Sequence, residues 1–119
     1  MNGRPSAAQK RWHDWCREYG CVICRSPAEI HHIEGARAKR KGMPGWGEWY
    51  ILPLCPHHHR IGPDALHENR RAWEKRHGTQ AFFFSIIAEL SELVPGEILE
   101  AVQHEAAFTA DDVYEFLPW

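Results

Sequence analysis

Two pairs of metal-type ligands, Cys21-x-x-Cys24 and Cys55-x-x-His58, separated by thirty residues, constrain this chain more than any other feature. Each pair has the spacing of a tight knuckle that presents two donors to one ion, and two such knuckles match the tetrahedral coordination of a structural zinc. The chain between them must turn and bring the second pair back to the first. The N-terminal stretch MNGRPSAAQKRW has no apolar core of the kind a secretory signal carries. A reducing cytoplasm is therefore the default compartment, and there cysteines favour metal over disulfide. The fourth cysteine, Cys16, falls on the apolar face of a helix and is assigned to the core.

The return path reads as two strands and a helix. SPAEIHHIEG is a short strand after a Ser-Pro turn, and EWYILPLC is a second strand that leads into the second knuckle. PHHHRI begins a short helix with Pro56 in the first turn, where its missing N–H costs least, and Gly62-Pro63 breaks it. A longer helix is expected from about Asp64 to His77, closed by Gly78. Ahead of the knuckles, Ser6 caps a helix that runs to about Tyr19, with Trp12, Trp15, Cys16 and Tyr19 at helical spacing and Gly20 as the stop. Behind them, QAFFFSIIAELSEL is apolar over most of its circumference and completes the core. A Pro95-Gly96 break, a helix near Glu97 to Glu105 and a last helix in ADDVYEFL follow.

A chain of 119 residues fits one α+β domain. Residues 1–19 form its N-terminal helix, 20–78 its knuckled core and 79–119 a helical, acidic extension. No apolar run is long enough to span a membrane.

Net charge is only −2, but it is unevenly spread. Residues 1–80 hold all 14 Lys and Arg against 8 acids, whereas residues 81–119 hold 8 acids and neither Lys nor Arg. Such asymmetry marks two surfaces with different partners, or a tail that balances a basic face. In the glycine-rich loop between the strands, Arg37, Lys39, Arg40 and Lys41 suit phosphates, and Trp46 and Trp49 follow as candidates for stacking on an unpaired base. Arg60, Arg70 and Arg71 lie near the histidines in sequence, placed to brace a nucleic-acid backbone. Nothing resembles a base-reading helix, so sequence specificity is expected to be low.

The run His57-His58-His59 divides its work. If His58 faces the zinc, His59 leaves the helical turn on another side, because successive side chains are about 100° apart. Strand alternation separates His31 from His32 in the same way, so one of them can join His59 on a second ion while the other stays free. His13, His77 and His104 are assigned as ordinary surface or helix-end residues.

The pattern C-x2-C…HHI…LC-x2-H-H, taken with HHHRIGPDALHENRRAWEKRHG, resembles the zinc-knuckled HNH nucleases of the ββα-metal superfamily. It is similar to phage nucleases of the Ref type, recombination-enhancement enzymes that act with RecA. The resemblance covers about Gly20 to Gly78. It implies a small ββα-metal finger stapled by a structural zinc and wrapped by N- and C-terminal helices. His32 then takes the place of the general base, and His31, His59 and His67 become ligands of a catalytic ion, Mg²⁺, Mn²⁺ or Zn²⁺. DNA, single- or double-stranded, is the implied substrate, a RecA filament or another recombination protein the implied partner, and a bacterial cell with a phage or prophage gene the implied source. The residue types suit phosphodiester hydrolysis, which needs a base near neutral pH and a Lewis acid at the scissile phosphate. One position departs from the motif: its Asn falls on Tyr50. The alternative is therefore a zinc-stabilised DNA- or protein-binding module without catalysis.

Overall fold

The computed structural model describes residues 5–33 and 46–106. The expected phosphate-binding residues Arg37, Lys39, Arg40 and Lys41, and the helix expected in ADDVYEFL, lie outside the described residues. The elements are α1 (Ala7–Tyr19), β1 (Glu29–His32), α2 (Trp46–Trp49), β2 (Ile51–Leu54), α3 (Pro56–His59), α4 (Arg70–His77), α5 (Gln80–Ser91) and α6 (Gly96–Ala106). The molecule is a small mixed α+β fold with a two-stranded antiparallel sheet.

Helix α1 starts as its sequence requires. The Ser6 hydroxyl accepts from the Gln9 amide at 3.1 Å while the Gln9 side chain accepts from the Ser6 amide at 2.7 Å. This reciprocal box is worth about 1 kcal/mol. Gly20 closes the helix at φ 91°, and a Cβ there would stand 2.6 Å from the Arg25 carbonyl oxygen. Only glycine lets the chain fold this tightly from helix into the first knuckle.

The two strands pair Glu29 with Leu54 and His32 with Ile51. All four residues of β2 are buried, because α1 and α5 both pack against it. Trp12 of α1, fully buried, meets Phe84 of α5 edge-on at 5.9 Å, and Tyr50 meets the same ring at 5.1 Å. Truncating Trp12 to Ala is expected to cost about 3–5 kcal/mol. Cys16 is fully buried in this cluster, as its place on the helix face predicts, and burial drives its thiol pKa far above the ordinary value.

Three expectations need correction. The segment ahead of the second strand is not extended: Trp46–Trp49 forms a helical turn, and pairing begins only at Ile51. Helix α4 begins at Arg70 rather than Asp64, because the Asn69 side chain caps it by accepting from the Ala72 amide. His13 is not a surface residue; it is 6% exposed and turned inward against Glu48.

Candidate metal centres

The first knuckle follows directly from the end of α1. The Cys21 amide donates to the Ser26 carbonyl at 2.9 Å and the Arg25 amide to the Cys21 carbonyl at 2.8 Å, which folds the Cys-x-x-Cys segment into a loop with Arg25 at φ 66°. The Val22 amide donates to the Pro53 carbonyl at 3.1 Å and so fastens this loop to β2. The second knuckle is the first turn of α3. Cys55 is its N-cap, and its carbonyl accepts from the amides of both His58 and His59.

These backbones bring Cys21, Cys24, Cys55 and His58 together, with one ligand atom from each within 4.8 Å of all the others. Cys24 Sγ and Cys55 Sγ are 3.6 Å apart, and His58 Nδ1 lies 3.3 Å from Cys55 Sγ and 3.7 Å from Cys21 Sγ. Zinc bonds of ordinary length at tetrahedral angles require about 3.8 Å between two sulfurs and about 3.5 Å between sulfur and nitrogen. The Cys₃His geometry is thus compatible with a bound ion such as zinc. The Ser26 hydroxyl, 3.2 Å from Cys24 Sγ, is the main cause of a Cys24 pKa drawn down to about 6, and the Ile23 amide donates to Cys21 Sγ at 3.4 Å. The Ser26 contact favours the Cys24 thiolate, the form that binds metal, whereas burial raises the Cys55 thiol.

A second cluster joins His31, His59 and His67, again with all three ligand atoms within 4.8 Å. His31 comes from β1 and His59 from the end of α3. His67 is brought in without a helix: the amides of Leu66 and His67 donate to the carbonyls of His58 and His59 at 2.9 and 3.0 Å, so the chain doubles back on α3 after Gly62-Pro63. The rings form a triangle with centroid separations of 4.7 to 5.2 Å.

Each of two rings is oriented from outside the triangle. His31 Nε2 lies 2.8 Å from Gln80 Oε1, and His59 Nδ1 lies 2.6 Å from Glu29 Oε1. Both partners are acceptors, so each outer nitrogen carries its ring's proton. In those tautomers His31 Nδ1 and His59 Nε2, 3.3 Å apart, turn their lone pairs toward each other. Two nitrogens on one tetrahedral ion stand about 3.4 Å apart. The residues therefore fit a second divalent ion, and Gln80 and Glu29 are the supporting acceptors such sites use. Burial, with the neighbouring imidazoles adding to it, pushes the His31 pKa down to about 4, so its ring is neutral and available as a ligand. Gln80 is held in turn by Glu74, whose carboxylate accepts from the Gln80 amide at 2.8 Å. Sequence reasoning missed Gln80, Glu29 and Glu74.

His32, expected as the base, stands apart from this triangle. Alternation sends it to the other side of β1, where it is exposed and its Nε2 lies 3.1 Å from Glu48 Oε1. The expected backbone-bracing arginines have different fates. Arg60 is engaged by Glu29 at 2.7 and 3.2 Å, and that guanidinium holds the Glu29 carboxyl below the usual range. Arg70 lines a cavity of about 260 Å³ together with His31, Leu66, His67 and Gln80, and Arg71 is exposed on α4. Trp49 packs against the core. Among the described residues no helix is long and apolar enough to cross a membrane.

Fold and site together define a small α+β domain whose Cys and His clusters have the geometry to hold metal ions. The chain belongs to the family described as "Protein of unknown function (DUF968)", whose profile matches residues 4–102. No curated protein and no solved structure matches it.

Proposed function

We propose that this protein is a metal-dependent endonuclease of the HNH (ββα-metal) type, hydrolysing DNA phosphodiester bonds with low sequence specificity. The observation that carries the reading is the convergence of His31, His59 and His67, with His31 Nδ1 and His59 Nε2 3.3 Å apart, beside an open cavity lined by Arg70. A purely structural site has all its coordination positions filled by protein, whereas three histidines leave positions for substrate and water.

In this reading Cys21, Cys24, Cys55 and His58 hold a structural zinc. His31, His59 and His67 hold a divalent ion that supplies Lewis acidity for charge developing on the leaving oxygen. The guanidinium of Arg70 neutralises a phosphate oxygen at the cavity mouth. The His32 imidazole takes the proton from the attacking water. A RecA filament is the partner that the resemblance to Ref-type nucleases suggests.

A binding module without catalysis is the second reading, and Tyr50 favours it. Where the motif carries Asn, Tyr50 is 3% exposed with its ring packed on Phe84. The test is cleavage of plasmid and single-stranded DNA with Mg²⁺, Mn²⁺ or Zn²⁺, with and without RecA filaments. His32→Ala is expected to keep both ions and DNA affinity and to lose at least about a hundredfold in rate. A parent protein that binds DNA and cuts nothing under any of these conditions leaves the binding module.

A further inference from the structure

His32 meets a carboxylate from the helical turn just ahead of β2. We infer that Glu48 is a positioning residue for His32, with His13 of helix α1 holding Glu48 in place; the inference rests on the nuclease reading for its purpose, though not for its geometry.

His32 Nε2 lies 3.1 Å from Glu48 Oε1. A carboxylate only accepts, so Nε2 carries the proton and Nδ1 is left as the basic atom. Glu48 is in turn anchored. His13 Nε2 donates to the Glu48 carbonyl at 2.7 Å and lies 3.7 Å from its carboxylate. One residue on, the Trp12 indole donates to the Trp49 carbonyl at 2.9 Å. Two adjacent side chains of α1 thus clamp two adjacent carbonyls of α2, the turn that feeds β2 at the position opposite His32. The rings of His13 and His32 meet edge-on at 6.2 Å, which limits rotation of the His32 ring on that side.

His13 is 6% exposed, and its ring is turned onto the carbonyl and carboxylate of Glu48. A buried imidazole costs free energy unless its ring nitrogen is hydrogen-bonded, and the Glu48 carbonyl supplies that bond. Ordering a base in advance is what such a contact accomplishes in a hydrolytic site.

The experiment reads the His32 tautomer by long-range ¹H–¹⁵N NMR on histidine-labelled, zinc-loaded full-length protein, the signal being identified by its loss in His32→Ala. In the parent, Nε2 is expected to bear the proton. Glu48→Ala should give a mixture of the two tautomers, Glu48→Gln should retain the parent form because its amide oxygen still accepts, and His13→Phe should shift the ring in the same direction as Glu48→Ala. In the cleavage assay, Glu48→Ala should lower kcat about tenfold with KM unchanged, a fraction of what loss of the base itself costs, and Glu48→Gln should restore most of it. A His32 tautomer that does not respond to Glu48→Ala overturns the inference, and one that does not respond to His13→Phe removes His13 from it. If the tautomers respond as stated while the parent cuts no DNA, the positioning stands and the nuclease reading falls.

Discussion

His31 Nδ1 and His59 Nε2 lie 3.3 Å apart, with Gln80 Oε1 and Glu29 Oε1 placed as acceptors on the far side of the two rings. In the neutral tautomers that those acceptors favour, two lone pairs face each other with room for a cation between them. The contact exists because three elements far apart in sequence converge on it. The His31 ring is set by the first residue of α5, the His59 ring by the first residue of β1, and His67 closes the triangle from a turn laid back on α3. The arrangement differs from a chance surface cluster in having its proton positions decided by neighbours.

Gln80 is therefore expected to matter for the second ion and not for the first. Gln80→Leu should weaken divalent binding at the three-histidine cluster by about ten- to a hundredfold and leave the Cys₃His ion bound. Calorimetric titration of Mn²⁺ or Zn²⁺ into zinc-loaded protein measures this. Equal affinity in parent and variant would show that the Gln80 contact does not orient His31.

The cysteines divide into ligand and core. Cys24→Ser should lower zinc content and thermal midpoint together, since zinc binding in small domains is part of the folding free energy. Cys16→Ala should keep a full complement of zinc and lose about 1 kcal/mol from the small cavity it leaves. Metal analysis beside thermal melts of the two variants distinguishes them; full zinc in Cys24→Ser would remove that residue from the cluster.

Acid should destabilise the protein once metal is stripped, through His31. Its pKa is 6.5 in the unfolded chain and about 4 in the folded one, so between these values the unfolded state binds more protons and stability rises with pH. The contribution is fully present above pH 6.5 and is lost as pH falls toward 4, with a total on the order of 3 kcal/mol. Urea melts of chelated protein at stepped pH measure it. His31→Gln should flatten the slope in that window, and an unchanged slope would mean that other groups carry the acid sensitivity.

The basic residues 37–41 offer a test of the proposed DNA binding that does not depend on catalysis. Changing Arg37, Lys39, Arg40 and Lys41 together to Ser should weaken DNA binding and reduce the salt slope by up to about 0.7–0.9 log units for each phosphate that the loop neutralises. Fluorescence anisotropy across a range of salt concentrations gives the slope, with circular dichroism to check the fold. A slope equal to the parent's would place the DNA surface elsewhere.

Much of the Cys₃His cluster was legible in the sequence because its information is local. Donors three residues apart report a knuckle through backbone geometry alone, so Cys21, Cys24, Cys55 and His58 could be named together, and Ser6, Gly20 and Cys16 followed from capping, turn and helix-face rules over similarly short spans. The grouping of His31, His59 and His67 came from strand and helix alternation joined to a resemblance, and the structure brings those three rings together. What only the tertiary structure decided is which way each ring's protons face. Gln80 lies 49 residues from His31, Glu29 lies 30 from His59, and Glu48 lies 35 from His13 and 16 from His32. A hydrogen bond between packed elements leaves no spacing in the chain, and a glutamine at a helix start or a histidine on a helix reads as ordinary surface until burial makes its one available partner obligatory. The same reason hid the route of His67: a helix was expected from Asp64, but backbone pairing of residues 66–67 with residues 58–59 delivers that imidazole, and such pairing depends on main-chain groups that every residue carries alike.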